Sequence, residues 1–271
     1  MYRRTWKSPG YIYVGLIPLF LYLPIVLLIV FSFNDSNTLS LPLRGFTLRW
    51  YRALGEATVL VGSVRNSLIV GVGSSLVATL LGAMAAVGLV RFDFRGRSAF
   101  IGAAAIPLVI PSIVLGVALL VLFRQILDWP LTLWTVALGH VIINLPVTLL
   151  IVASRLAGFD EHLEEAAMDL GASYWGSLWR VVLPMTMPAL MAAFLTAFTS
   201  SFDEYAMSVF IIGHDPTLPI YLYSQLRFPR QLPLIVTLAA VLMIASVILL
   251  AVAEGLRRSG VSQARTQERA A

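Results

Sequence analysis

The chain has 271 residues, of which 59% are hydrophobic and 12% charged, and its mean hydropathy is +0.86. A soluble domain carries roughly a quarter charged residues, so this composition excludes an ordinary water-soluble enzyme. The formal net charge of +5 sits mainly at the ends of apolar blocks, which points to membrane topology rather than nucleic acid. The lack of cysteine excludes a disulfide framework, a thiolate nucleophile and a cysteine-ligated metal site.

Six apolar blocks follow one another at about 11–33, 62–90, 99–123, 131–154, 185–212 and 232–254. Each is long enough to cross a hydrocarbon layer about 30 Å thick, which needs about 20 residues of helix. An all-α, polytopic bundle of six transmembrane helices is therefore expected. The first block exceeds a signal-peptide core, and Phe33-Asn34-Asp35 offers no small-x-small cleavage site, so it is read as a retained span. Block four is opened by Pro130 and interrupted by Pro146, leaving a re-entrant segment as its alternative. Pro107, Pro111, Pro146, Pro188, Gly82, Gly88 and Gly116 call for protein rather than lipid around them, because each proline frees a backbone carbonyl.

With the N-terminus cytoplasmic, twelve of the 19 basic residues fall inside and seven outside, led by the tight Arg91–Arg97 turn. Both termini are accordingly expected in the cytoplasm. Between the fourth and fifth blocks lies segment 155–184. Asp160 suits an N-cap, and Glu161, Glu164 and Glu165 suit the positive end of a helix dipole. Leu163, Ala166, Ala167 and Leu170 recur at helical spacing, and Gly171 can end the helix or allow close backbone approach. A second short helix would carry Trp175, Leu178, Trp179 and Val182 before Pro184 opens the next span. The acids and small alanines favour docking into a protein groove, and an interfacial hairpin on the inner leaflet is the alternative.

This segment resembles the EAA loop of ABC importer permeases: Glu165-Ala166-Ala167, then Gly171, Val181 and Leu183-Pro184 at matching intervals, with valine where isoleucine is usual. The resemblance implies a type I importer permease with a core of five helices and the first span as an addition. The division it suggests is 1–61 for the tail, first span and external loop, 62–254 for the core, and 255–271 for a polar cytoplasmic tail. It also implies a coupling helix that meets an ATPase subunit through Glu164, Glu165, Ala166, Ala167, Asp169 and Gly171. Partners implied are nucleotide-binding ATPase subunits, a homologous second permease and a periplasmic or lipid-anchored solute-binding protein, in a bacterial inner membrane. No cofactor is expected in this chain, because it has no phosphate-binding Gly-x-x-x-x-Gly-Lys loop and one lysine, Lys7. ATP would be bound and hydrolysed by the separate subunit, so the chain itself is not read as an enzyme.

Within that family the chain most resembles the second permease of spermidine/putrescine importers. The pieces are Phe31-Ser32-Phe33-Asn34, Ser201-Phe202-Asp203-Glu204 and Thr217-Leu218-Pro219-Ile220-Tyr221. Importers of iron, thiamine, opines and other small solutes share parts of them. Asp203 and Glu204 are costly in a span and are candidates for a cation path, against a surface patch or an ion pair with Arg227 or Arg230. His140 is read as a packing hydrogen-bonder rather than a proton relay, with Asn144, one turn later, either its interhelical counterpart or simply facing the same polar seam. Glu254 is expected to snorkel to water. His140, His162 and His214 lie in different segments and form no metal-ligand cluster. An ion-coupled secondary transporter would show broken half-helices and a repeat, and an intramembrane enzyme would need convergent acid–base groups.

Overall fold

The computed structural model describes residues 9–160 and 162–248; Glu161, Glu254 and residues 249–271 lie outside them. In chain order the helices are α1 (Pro9–Ser32), α2 (Arg49–Glu56), α3 (Thr58–Arg91), α4 (Arg97–Val109), α5 (Ser112–Val121), α6 (Leu133–Ala157), α7 (His162–Asp169), α8 (Tyr174–Ser177), α9 (Leu183–Asp203), α10 (Ser208–Ile211) and α11 (Leu218–Gln225). A final helix, α12, belongs to the apolar stretch Pro229–Ile248. Five helical stretches among the described residues are long and apolar enough to cross a membrane, and the bent pair α4–α5 supplies a sixth.

That bent pair corrects the expectation of a continuous third span. The two halves meet at 105°. Pro107 lies within α4, and Pro111 follows Ile110, whose ψ of 127° is extended. A residue before proline is driven out of the helical region by the ring, so the chain turns there. Block four behaves in the opposite way: α6 runs unbroken through the buried Pro146. Its start is fixed by a capping box in which Thr132 and Thr135 each serve the other's backbone.

Two further boundaries move. Tyr174–Asp203 is one helical stretch of 30 residues, joined through a π-helical turn at Leu178–Val182, so the second short helix is the opening of the fifth span. That span ends at Asp203 rather than 212. Beyond it the chain folds into the short α10, burying Met207 and Ile211 completely.

Residues 59–221 form one compact unit. One of its apolar clusters joins Val70, Leu115, Leu119, Phe123, Val136, Met207 and Ile211, and another joins Ala86, Val152, Leu156, Val182 and Ala193. Small residues set the helix spacing. A side chain at Gly82 would collide with Thr148 and come within 2.8 Å of the Leu149 nitrogen, and one at Gly116 would meet the Met207 carbonyl at 2.9 Å. Gly88 departs from the expectation, because it faces open space.

The other unit comprises residues up to 58 and from 222 onward. In it the sequence after α1 is pinned by its own polar groups. Ser32 hydrogen-bonds the Tyr51 hydroxyl at 2.7 Å, Trp50 Nε1 donates to the Asn34 carbonyl at 3.0 Å, and Arg49 pairs with Asp35 at 2.9 Å. Phe31-Ser32-Phe33-Asn34 thus has a local structural reason for its composition.

Candidate functional site

The connection between α6 and α9 is built as a helical hairpin. Asp160 Oδ1 accepts the His162 backbone N–H at 3.1 Å, capping α7. At the other end Gly171 N donates to the Met168 carbonyl at 2.8 Å and Ala172 N to the Ala167 carbonyl at 3.0 Å. This pair of bonds is a Schellman stop. It needs a left-handed residue, and Gly171 supplies one with φ of +91°. The glycine therefore ends the helix, while no neighbour lies within 4 Å of where its Cβ would sit.

The acids of α7 are not equivalent. Glu165 is exposed and pairs with His162 at 3.1 Å on the same helix. Glu164 turns inward, and its two carboxylate oxygens meet the two terminal nitrogens of Arg91 at 2.9 and 2.7 Å. The side chains retain only 18% and 9% exposure. The Glu164 carboxylate is thereby occupied within the chain, with that face of α7 toward the end of α3. Ala166, Asp169 and Gly171 are exposed, and Ala167 is half-buried. Leu170, the last residue before the stop, is 91% exposed. The helical spacing that grouped Leu170 with Leu163, Ala166 and Ala167 did not single it out as a surface feature.

The second candidate region lies at the end of α9. Asp203 is its last helical residue and is exposed. Within the 59–221 unit it makes no hydrogen bond or ion pair among the described residues. Glu204 leaves the helix with extended backbone and accepts the Met207 N–H at 2.8 Å. The adjacent acids thus separate in role, since one carboxylate closes the turn into α10.

Just inside that turn, His140 on α6 contacts Ser201 on α9 through Nδ1 and Ser208 on α10 through Nε2, the latter at 2.7 Å. Ser201 continues to Ser74 on α3 at 3.0 Å. Both ring nitrogens are satisfied by hydroxyls, so the histidine ties four helices together. Asn144 is buried one turn along, and its amide donates to the His140 carbonyl of the same helix at 2.9 Å.

Two sequence pieces are brought together. Asn66 Nδ2 donates to the Pro216 carbonyl at 3.1 Å, and Ser67 Oγ accepts the Leu218 N–H at 2.8 Å. The Arg65-Asn66-Ser67 and Thr217-Leu218-Pro219 stretches are thus the two halves of one contact.

Comparison with known proteins fits this geometry. Residues 78–259 match the family described as "Binding-protein-dependent transport system inner membrane component". The chain is 36% identical over 231 residues to the spermidine/putrescine transport system permease protein PotC of Escherichia coli strain K12, covering 85% of this chain and 86% of that one. It is 35% identical over 232 residues to the putrescine transport system permease protein PotI of the same organism, covering 82% and 81%. A bacterial ABC transporter that imports the polysaccharide alginate shares the fold, with a TM-score of 0.72 at 17% identity over 94% of this chain and 98% of that one. The chain belongs to the binding-protein-dependent transport system inner membrane components, the permeases of ABC importers.

Proposed function

We propose that this chain forms half of the translocation path for a polyamine such as spermidine or putrescine. The observation that carries this reading is the pairing of a projecting, Schellman-stopped α7 with an uncommitted carboxylate, Asp203, at the far end of α9. The names of the relatives at 35–36% identity support the substrate class.

In this reading both termini and α7 face the cytoplasm. Glu165, Ala166, Ala167, Asp169 and Gly171 present the surface that a nucleotide-binding subunit grips. Glu164 faces Arg91, away from that surface. ATP is bound and hydrolysed by the separate subunit, and a homologous second permease and an external solute-binding protein complete the assembly. The core is 62–254, and 1–61 and 255–271 are additions to it. Closure of the ATPase pair displaces α7, the outward path opens against the loaded binding protein, and hydrolysis resets the inward state.

Asp203 is the acid assigned to the cation. A carboxylate at the mouth of a low-dielectric path raises the local concentration of a polycation and offsets part of its desolvation. Glu204 is not assigned that part because its carboxylate already accepts the Met207 N–H in the turn before α10.

The test is reconstitution with the ATPase subunits, second permease and binding protein in proteoliposomes. ATP-dependent uptake of labelled spermidine, competed by putrescine, is expected. Uptake of a neutral solute or an iron chelate with no polyamine competition would transfer the chain to another substrate class.

A further inference from the structure

The Arg91–Glu164 pair joins two elements 73 residues apart in sequence. Arg91 is the last residue of α3, a 34-residue helix, and Glu164 stands in the first turn of α7. The contact is a two-nitrogen, two-oxygen fork, which fixes orientation as well as distance. Tyr174, at the start of the α8–α9 stretch, lines one cavity with Arg91 and Glu164. Three elements therefore converge on one guanidinium. Apart from this, α7 packs mainly on the turns that follow it, Tyr174–Val182.

The far end of α3 has its own attachment. Asn66 and Ser67 hold the backbone of Pro216 and Leu218. From Ser67 to Arg91 the helix extends about 36 Å at about 1.5 Å per residue, more than a hydrocarbon core. One buried face of small residues, including Ser74, Ala78, Gly82 and Ala86, packs it into the bundle. A continuous rigid helix thus links a clamp at one end to a loop contact at the other.

We propose that Arg91 is a positioning residue for energy coupling: it clamps α7 to α3, so that displacement of α7 moves α3 and the Pro216–Leu218 segment with it. The covalent route from α7 runs only into α6 and α9. The ion pair adds α3 as a third lever. This rests on the reading of α7 as the ATPase-facing helix, and it assigns the inward acid a different task from the exposed Glu165. A charge pair held at low exposure suits that task, since a solvent-exposed pair would contribute little and be screened by salt.

The experiment uses the full importer in proteoliposomes and reads two quantities, assembled complex and solute taken up per ATP hydrolysed. Arg91→Glu and Glu164→Arg are each expected to lower the uptake-to-hydrolysis ratio about tenfold, with near-normal amounts of complex. The double exchange restores most of it. A purely structural contact would lower the amount of complex and leave the ratio unchanged. Where a charge-reversed chain fails to accumulate, Glu164→Gln, which keeps shape and one hydrogen bond, is read instead and gives a smaller loss of ratio. A normal ratio in the assembled variants, or a double exchange no better than either single change, overturns the proposal. If the unaltered chain neither binds nor stimulates an ATPase subunit, the docking reading fails and the clamp falls with it.

Discussion

Thr148 Oγ1 reaches the Ala78 carbonyl at 2.8 Å across the contact between α6 and α3. The approach is possible because Gly82, one turn along, has no side chain to hold the helices apart. Without a hydrophobic drive between helices in lipid, such close backbone packing and interhelical hydrogen bonds carry much of the association.

Gly82→Ala is therefore expected to cost about 1–3 kcal/mol through overpacking. Gly88→Ala, with open space around it, is expected to be neutral or slightly stabilising. Thermal unfolding of the purified protein in detergent distinguishes them; equal shifts at both sites would remove the packing account.

Gly171 separates backbone strain from steric docking. The αL position penalises a Cβ by about 1–2 kcal/mol, while asparagine tolerates it better. Gly171→Asn should therefore retain more coupled uptake than Gly171→Ala, although asparagine is larger. The reverse order would mean that the partner's surface, not φ, selects glycine.

Replacing His140 with phenylalanine strands the Ser208 hydroxyl and leaves Ser201 with Ser74 alone, and a buried group left unpaired costs about 1–3 kcal/mol. Loss of thermal stability is expected, with no new dependence of uptake on the proton gradient. An uncoupler that abolishes uptake in the unaltered importer while ATP is maintained would instead return His140 to a relay role.

At the mouth, Asp203→Asn is expected to raise the apparent KM for spermidine about tenfold at low salt, with less effect as ionic strength rises. Glu204→Ala should instead cost about 1 kcal/mol of stability through loss of its hydrogen bond to the Met207 N–H. Uptake kinetics normalised to folded protein check both, and an unchanged KM in the aspartate variant would remove it from the path.

Much of the membrane architecture was legible in composition, because blocks of apolar residues report span length directly. The spacing from Glu165 to Pro184 likewise announced its hairpin, and His140 read correctly as a packing group. The third and fourth blocks both carry prolines, and the span reading held for the fourth but not for the third. What separates them is placement: Pro111 follows Ile110 at a point where the helix yields, whereas Pro146 is buried inside α6, which continues unbroken through it. Glu164 and Glu165 are indistinguishable by type, and only the return of α3 to Arg91 shows which faces inward. Similarly, nothing in Asp203-Glu204 says that the second acid accepts the Met207 N–H, since that depends on the chain turning after Asp203.

The account turns on α7 as the place where ATP-driven motion enters this chain. Its most direct measurement is ATP-driven spermidine uptake by reconstituted importer carrying Glu165→Lys, alongside co-purification of the ATPase subunit. The expected result is loss of both uptake and co-purification with normal membrane insertion. Full uptake with an unchanged ATPase complement would contradict it.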